Sequence, residues 1–361
     1  MSSQISASRR DVLALLGTGA ASVVLPGPVF GQSPKTVKVL LSSQAPLLAW
    51  GVSFLADALG YYKEEGLTVE FTPMASGPAS MTGLVAGAGH VNFSAPAEAL
   101  PAIARGQKFK ALMALSNYNA IYIVVSKDYA AKYNVTADMP LADRLKAMGN
   151  FKGMRFGITA PGSTVDVAAR LMMKQAGLNP DTDVQMVALG STTNSMAALS
   201  RGAIDGFVAT PPTPEITVAQ FGAISLFSVG RDNVGGLKSV IGHIVEARAS
   251  DVEQSPELFS SFVRAGVRSF RYLQENTKEA GDLIYKNRYA SMITADVWPN
   301  VWNNNVSQFR TPLISRDSVA SWISLGMVGE ISDPNGVKLD DFVDMRLVNE
   351  AAKSIGWTLP S

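Results

Sequence analysis

Ser80–Pro96 reads SMTGLVAGAGHVNFSAP and Ser195–Pro211 reads SMAALSRGAIDGFVATP, the same phrase displaced by 115 positions (195 − 80). Ser-Met, Leu, Gly-Ala and the closing Pro recur at identical spacing. The register continues upstream, where Val69 and Phe71 of LTVEF stand opposite Val184 and Met186 of DVQMVAL, and Ser76 stands opposite Ser191. Each copy spells an alternating strand, a turn of small residues, a short helix with Met and Leu turned inward, a Gly stop and a second strand. Helix-Gly-strand punctuation is common in α/β proteins, but a gapless match over more than twenty positions exceeds what coincidence supplies. Two copies of one α/β unit predict two similar lobes.

Before the first copy, VKVLL at 37–41 reads as a strand and Ser42–Pro46 as the polar turn after it. A helix is expected from near Leu48, with Trp50, Phe54, Ala58 and Tyr62 on one face, Lys63-Glu64-Glu65 in solvent and Gly66 closing it in a left-handed conformation. Leu67, Val69 and Phe71 then alternate as a strand. The second unit repeats the plan with a strand over 154–158, a turn over 159–164, a helix to Ala176, Gly177 as stop and a strand over 184–189. Strands separated by helices at this spacing predict mostly parallel sheets with right-handed crossovers.

Between the units, ALMALS and IYIVVSK form two strand-like runs around Asn117-Tyr118-Asn119-Ala120, and the crossing between lobes is placed there. The return is expected near Ser239–Glu246, within SVIGHIVEA, the last strand-like run before a largely helical region over 255–355 that Pro299, Pro312 and Pro334 interrupt. The expected organisation is an export segment over 1–31, a first lobe from 33–120 and 247–361, and a second lobe over 121–246, joined by a two-strand hinge.

The 361 residues are 47% apolar and 17% charged, ordinary for a globular chain with a proper core, and a formal charge of +1 without any dense basic run argues against a nucleic-acid surface. The first thirty residues are read as a leader. Ser8-Arg9-Arg10-Asp11-Val12-Leu13 precedes an apolar stretch from Val12 to Leu25, too short to span a bilayer, and then Val29-Phe30-Gly31, compact enough for a signal peptidase. Paired arginines here resemble a twin-arginine export signal of the form Ser-Arg-Arg-x-Phe-Leu-Lys, with Val12 in place of Phe and Ala14 in place of Lys. The general secretory route stays open. Cysteine is absent, which removes a lipid-anchored cysteine and any Cys-based metal site or nucleophile. A protein free in the periplasm is expected.

The run DALGYYKEEGLTVEF at 57–71 resembles the solute-binding proteins of ABC importers in the nitrate, sulfonate, taurine and pyrimidine-precursor group, whose first helix ends in a phrase like LGYF-EEGL-VE. Gly162-Ser163-Thr164 resembles that group's Pro-Gly-Ser turn, and Gly202-Ala203-Ile204-Asp205 its Gly-x-Ile-Asp phrase. The likeness covers about residues 35–275. It implies a type II periplasmic-binding-protein fold, a small-molecule ligand, and an ABC permease with its ATPase as partner. A eukaryotic relative that makes a thiamine pyrimidine carries a cysteine-rich motif, which this cysteine-free chain lacks.

Open α/β sheets bind ligands beyond the carboxyl ends of their strands, so six turns are expected around one cleft. They are Ser42–Pro46, Met74–Pro78 and Ser94–Glu98 in the first lobe, and Thr159–Thr164, Gly190–Asn194 and Thr210–Glu215 in the second. Together they are rich in Ser, Thr, Asn, Gln and Gly, and none contains Lys or Arg. Several open helices, whose free N–H groups and dipoles make an anion site without cationic side chains. The candidates are Gln44, Ser76, Gly77, Ser94, Ser163, Thr164, Thr192, Thr193 and Thr210. The competing reading is that each hydroxyl caps its own helix. Trp50 and Tyr118 are the aromatic candidates, although the spacing of Trp50 with Phe54 equally fits a core face. Glu98 and Glu215 lie just beyond their turns; Glu215 joins the candidates, and a cleft carboxylate would favour an amino or ring-nitrogen ligand over a plain anion. Asp205 is expected to organise the helix-to-strand turn.

His90 and His243 are the only histidines and cannot supply an HExxH zinc site, and no Gly-x-Ser-x-Gly elbow, P-loop or strand-linked GxGxxG is present. No enzyme activity, cofactor or metal is expected. The expected function is capture of a small organic anion, sulfonate or carboxylate in type, by hinge closure and delivery to an importer permease. An aromatic or pyrimidine-like ligand is the alternative within that class; an exported enzyme or a periplasmic sensor is the alternative outside it.

Overall fold

The computed structural model describes residues 35–328, 331 and 336–360, so the export segment expected over 1–31 and Pro334 lie outside the described residues. Ten strands form two five-stranded sheets. The first contains β1 (Lys35–Leu41), β2 (Leu67–Pro73), β3 (Val91–Ser94), β4 (Phe109–Ala114) and β10 (Ile244–Arg248) in the order β2-β1-β3-β10-β4. The second contains β5 (Tyr122–Val125), β6 (Arg155–Ile158), β7 (Gln185–Ala188), β8 (Gly206–Ala209) and β9 (Ile224–Ser228) in the order β7-β6-β8-β5-β9. Strand for strand the two orders correspond, as the duplicated sequence demands: β2-β1-β3 and β7-β6-β8 are the two copies of the repeat.

The sheets are mixed. β2, β1 and β3 pair in parallel, as do β7, β6 and β8, whereas β10 and β5 run antiparallel to both their neighbours. The sequence reading of mostly parallel sheets holds for the three strands linked by helices. β5 follows β4 across the first crossing with no intervening helix, and β10 follows β9 across the second with only the 3-10 segment Val234–Ser239 between them, so neither has an α-helix to turn the chain back.

The repeat is visible down to its caps. Ser76 and Ser191 both lie in extended conformation and accept from the backbone N–H three residues on, Ala79 at 3.4 Å and Asn194 at 3.1 Å, opening the helices Gly77–Val85 and Thr192–Ser200. Both helices end at glycines in the left-handed region, Gly87 at φ 80° and Gly202 at φ 67°, where a side chain would be strained. Leu84 and Leu199 are buried, as is Met81, and Met196 is half-buried.

Alternation along β1 separates two packing layers. Val37, Val39 and Leu41 face one apolar cluster with Trp50, Phe54, Phe93 and Phe262, while Leu40 faces another with Met81 and Leu84. Burying each large side chain of this kind contributes roughly 1.5–3 kcal/mol. The helix expected from Leu48 to Gly66 is divided into a 3-10 turn Leu48–Trp50, a helix Gly51–Ala58 and a short helix Tyr61–Glu64. Gly60 at φ 76° makes the break, and Trp50, Phe54 and Tyr62 still reach the core on one side.

The two crossings are bonded to one another. His243 O accepts from Leu115 N at 2.8 Å and Ser116 N at 3.1 Å, and Gly242 N donates to Ser116 O at 3.0 Å. A Cβ on Gly242 would fall on Ser116 Oγ and on the Tyr118 carbonyl, so this close approach needs glycine. Among the described residues no helix is long and apolar enough to cross a membrane.

Candidate functional site

All six turns follow the carboxyl ends of the parallel strands, and each contributes to a single small cavity between the two sheets. Ser42 and Ser43 come from the turn after β1, Ala75 and Gly77 from that after β2, and Glu98 from that after β3. Thr159, Ser163 and Thr164 follow β6, Thr192 follows β7 and Thr210 follows β8, with Leu47, Val165 and His243 completing the wall. The cavity measures about 40 Å³, which at roughly 10–15 Å³ per water is room for about three water-sized groups. A larger depression of about 700 Å³ lies at the opposite ends of the second sheet's parallel strands, lined by Lys152 and Arg155 among others. Those cations are already paired, Lys152 with Asp183 and Arg155 with Asp205. Asp205 also accepts from Arg155 N at 2.9 Å, which ties the helix-to-strand turn as expected.

The N-terminus of the helix Thr164–Gln175 is where the two sheets' turns meet. Ser163 caps it locally, accepting from Asp166 N at 3.4 Å and donating to Ala160 O at 2.7 Å. Thr164 instead reaches across: its backbone N at 3.0 Å and its Oγ1 at 2.6 Å both donate to Glu98 Oε1. Glu98 is only 9% exposed, and its Oε2 has no hydrogen-bond partner among the described residues. A Cβ on Gly77 would fall on this carboxylate, so the glycine leaves the space Glu98 fills. Burial pushes the Glu98 carboxyl up to about 7 against the two bonds from Thr164, which favour the charged form.

Within electrostatic reach of Glu98 lies a second acid. Glu246, on β10 opposite Asn92 of β3, is fully buried and accepts from Ser94 Oγ at 3.2 Å, while Asn92 Nδ2 donates to Ser94 Oγ at 3.0 Å. Burial first, and then the neighbouring Glu98, raises its pKa well above the usual carboxylate range. His243 is pushed down to about 4 by burial and is neutral; its ring meets Trp50 edge-on at 6.1 Å.

Of the sequence candidates, Gly77, Ser163, Thr164, Thr192 and Thr210 line the cavity. Thr192 Oγ1 is buried without a partner among the described residues, whereas the hydroxyls of Ser76 and Ser163 are engaged in capping. Gln44 and Thr193 are exposed outside it. Trp50 is fully buried in the first lobe's core, and Tyr118 is buried at the crossing with its hydroxyl on Ser307 Oγ at 2.9 Å. Ser94 sits below the cavity, bonded to Glu246. Glu215 is half-buried elsewhere, where Asn305 Nδ2 donates to its Oε1 at 2.7 Å. Of the two glutamates just beyond their turns, Glu98 and not Glu215 is the carboxylate that lines the cavity. His243 gives a weaker signal, a histidine between the apolar pairs Val240-Ile241 and Ile244-Val245.

A model described as the NMT1-like family matches residues 36–284. The nitrate/nitrite binding protein NrtA of Nostoc sp. (strain PCC 7120 / SAG 25.82 / UTEX 2576) is 25% identical over 158 residues, 42% of this chain and 34% of that protein. The chain thus spans about a third of the curated relative it matches. A solved protein from Bordetella bronchiseptica RB50 superposes with a TM-score of 0.72 at 20% identity over 89% of this chain and 98% of that one. The periplasmic nitrate-binding protein NrtA from Synechocystis PCC 6803 gives 0.66 at 16% identity over 89% of each chain. The same fold also carries the desulfinase DszB, solved as a mutant in complex with biphenyl-2-sulfinic acid, at a TM-score of 0.58 and 14% identity over 89% of this chain and 99% of that one. These structural likenesses establish the two-lobe fold, and the family model, which spans most of the chain, establishes kinship: the protein belongs to the NMT1-like family.

Proposed function

We propose that the protein is the solute-binding component of an ABC importer, exported to the periplasm by its leader, which closes two lobes over a small organic solute and presents the closed form to a membrane permease. The observation that carries this reading is the convergence of six strand-end turns from both sheets on one cavity lined by seven serines and threonines together with Glu98 and His243. A ligand held there touches both lobes only when they are shut, so its binding energy shifts the population toward the closed form. The names of the binding-protein relatives support the class.

The organic anion expected from the helix ends meets a carboxylate in the cavity, Glu98. That observation favours the second ligand class, an aromatic or pyrimidine-like compound bearing N–H groups. An exported enzyme on the same fold is the rival from another class. The deciding measurement is a thermal-shift screen of carboxylates, sulfonates, aromatic acids and pyrimidines, followed by solution scattering with each hit. A ligand that raises the melting point, compacts the particle and is recovered unchanged supports the proposal. Turnover of the hit, or no compaction with any tight binder, rejects it.

A further inference from the structure

We infer that the cavity selects a ligand carrying N–H donors, an amine, amidine or amino-substituted heterocycle, with Glu98 Oε2 as the atom that receives it. The inference rests on the solute-binding reading and names its substrate class.

A helix N-terminus with free N–H groups ordinarily draws an anion. Here that end is occupied by the protein itself, since Thr164 N at 3.0 Å and Thr164 Oγ1 at 2.6 Å both donate to Glu98 Oε1. The second oxygen of the same carboxylate, on a residue that lines the cavity, is buried and without a partner among the described residues. A buried acceptor without a donor is costly, and a ligand N–H removes that cost. An incoming anion would do the reverse, placing like charge beside the ionised Glu98 carboxylate in a cavity that no Lys or Arg among the described residues lines. Thr192, on the same cavity lining, has a buried and unpartnered Oγ1 that offers a hydroxyl to the same ligand. The small cavity favours planar, compact groups such as an amidine.

Isosteric probes of opposite charge test this. Guanidinium against nitrate, and acetamidinium against acetate, differ in charge and in donor or acceptor character but hardly in shape. Calorimetric titration of the mature wild-type protein should show each cation binding at least tenfold more tightly than its anionic partner, and Glu98→Gln should abolish that preference while keeping the wild-type circular dichroism. Tighter binding of either anion, or a preference that survives in Glu98→Gln, overturns the inference. Should Glu98→Gln fail to fold, the wild-type comparison of the two pairs decides alone. If the anions bind and compact the particle, the solute-binding reading stands and this inference falls. If no probe binds and the thermal-shift screen is also blank, both fall together.

Discussion

Asn305 joins the C-terminal helical region to the second sheet. It sits at the end of the helix Trp298–Asn305, fully buried, and donates from Nδ2 to Glu215 Oε1 at 2.7 Å while its Oδ1 accepts from the Tyr122 hydroxyl at 2.9 Å. Arg231 completes the cluster by donating to the Tyr122 hydroxyl at 3.2 Å. The neighbours of Asn305 in its own helix, Val301 and Trp302, pack into the first lobe's cluster. The amide therefore spans the two lobes at a point separate from Glu98 and Thr164. Replacing it with Ala strands the buried Glu215 carboxyl, a loss of about 1–3 kcal/mol. Chemical denaturation should show Asn305→Ala destabilised by that amount and Tyr122→Phe by about 1 kcal/mol or less. Equal stability in Asn305→Ala would mean that the amide does not hold the lobes.

Acid in the range where most proteins are indifferent should stabilise this one. Burial holds Glu98 and Glu215 at about 7, against an ordinary value of 4.5, and raises Glu246 further. A folded state that keeps protons the unfolded chain releases gains stability below the unfolded value and loses it as pH rises through the folded one. Each displacement to about 7 corresponds to roughly 3–3.5 kcal/mol at most. His243 works in the opposite sense, since its depressed value of about 4 against an ordinary 6.5 adds stability that is lost as pH falls through about 4. Above pH 6.5 the remaining titration of His243 in the unfolded chain is smaller than, and opposite to, that of the three glutamates. The melting temperature should fall from pH 6.5 to pH 8.5, and Glu98→Gln should flatten that slope; a rising or level profile in the wild type contradicts the burial of these acids.

What the chain discloses without a structure is its local periodicity. The pairing of Ser76 with Ser191 and of Gly87 with Gly202 is written in residues a turn or two from the elements they delimit, so both lobes and six turns were readable. The chemistry inside the cavity was not. Glu98 meets Thr164 across 66 residues and Glu215 meets Asn305 across 90, and no spacing rule separates a carboxylate that crosses between lobes from one that points to solvent. Trp50 illustrates the same limit from the apolar side: its helical spacing with Phe54 fits a core face and a ligand wall equally, and only packing against Phe93 and His243 resolves it.

The duplicated caps and the unpartnered threonine beside one of them give a comparison within a single helix end. Ser191 caps the helix Thr192–Ser200 as Ser76 caps Gly77–Val85, so Ser76→Ala and Ser191→Ala should each cost about 1 kcal/mol of stability. Thr192 Oγ1 caps nothing. Thr192→Val should leave the melting temperature level or higher while weakening binding of whichever solute the screen identifies by about fivefold to tenfold, the worth of one hydrogen bond. Unchanged affinity in Thr192→Val would remove this hydroxyl from the site.

Gly77 makes the geometry of the cavity testable without changing any polar group. Its backbone lies at the start of a helix and is not in the left-handed region, so alanine is acceptable to the chain itself. The added methyl, however, would occupy the position of Glu98 Oε1, and the carboxylate would have to leave Thr164. Because the bond it would break joins the two lobes, the effect should appear in binding and closure more than in folding. Gly77→Ala is expected to keep the wild-type circular dichroism, to lose at least tenfold in solute affinity, and to scatter as a more open particle under conditions where the wild type is compact. Gly242→Ala serves as the contrasting case, since its methyl would meet the backbone and Ser116 at the crossing and should cost about 1–3 kcal/mol of global stability by overpacking. If Gly77→Ala bound and closed like the wild type, Glu98 would have room to reach Thr164 by another path, and the glycine would have no part in shaping the site.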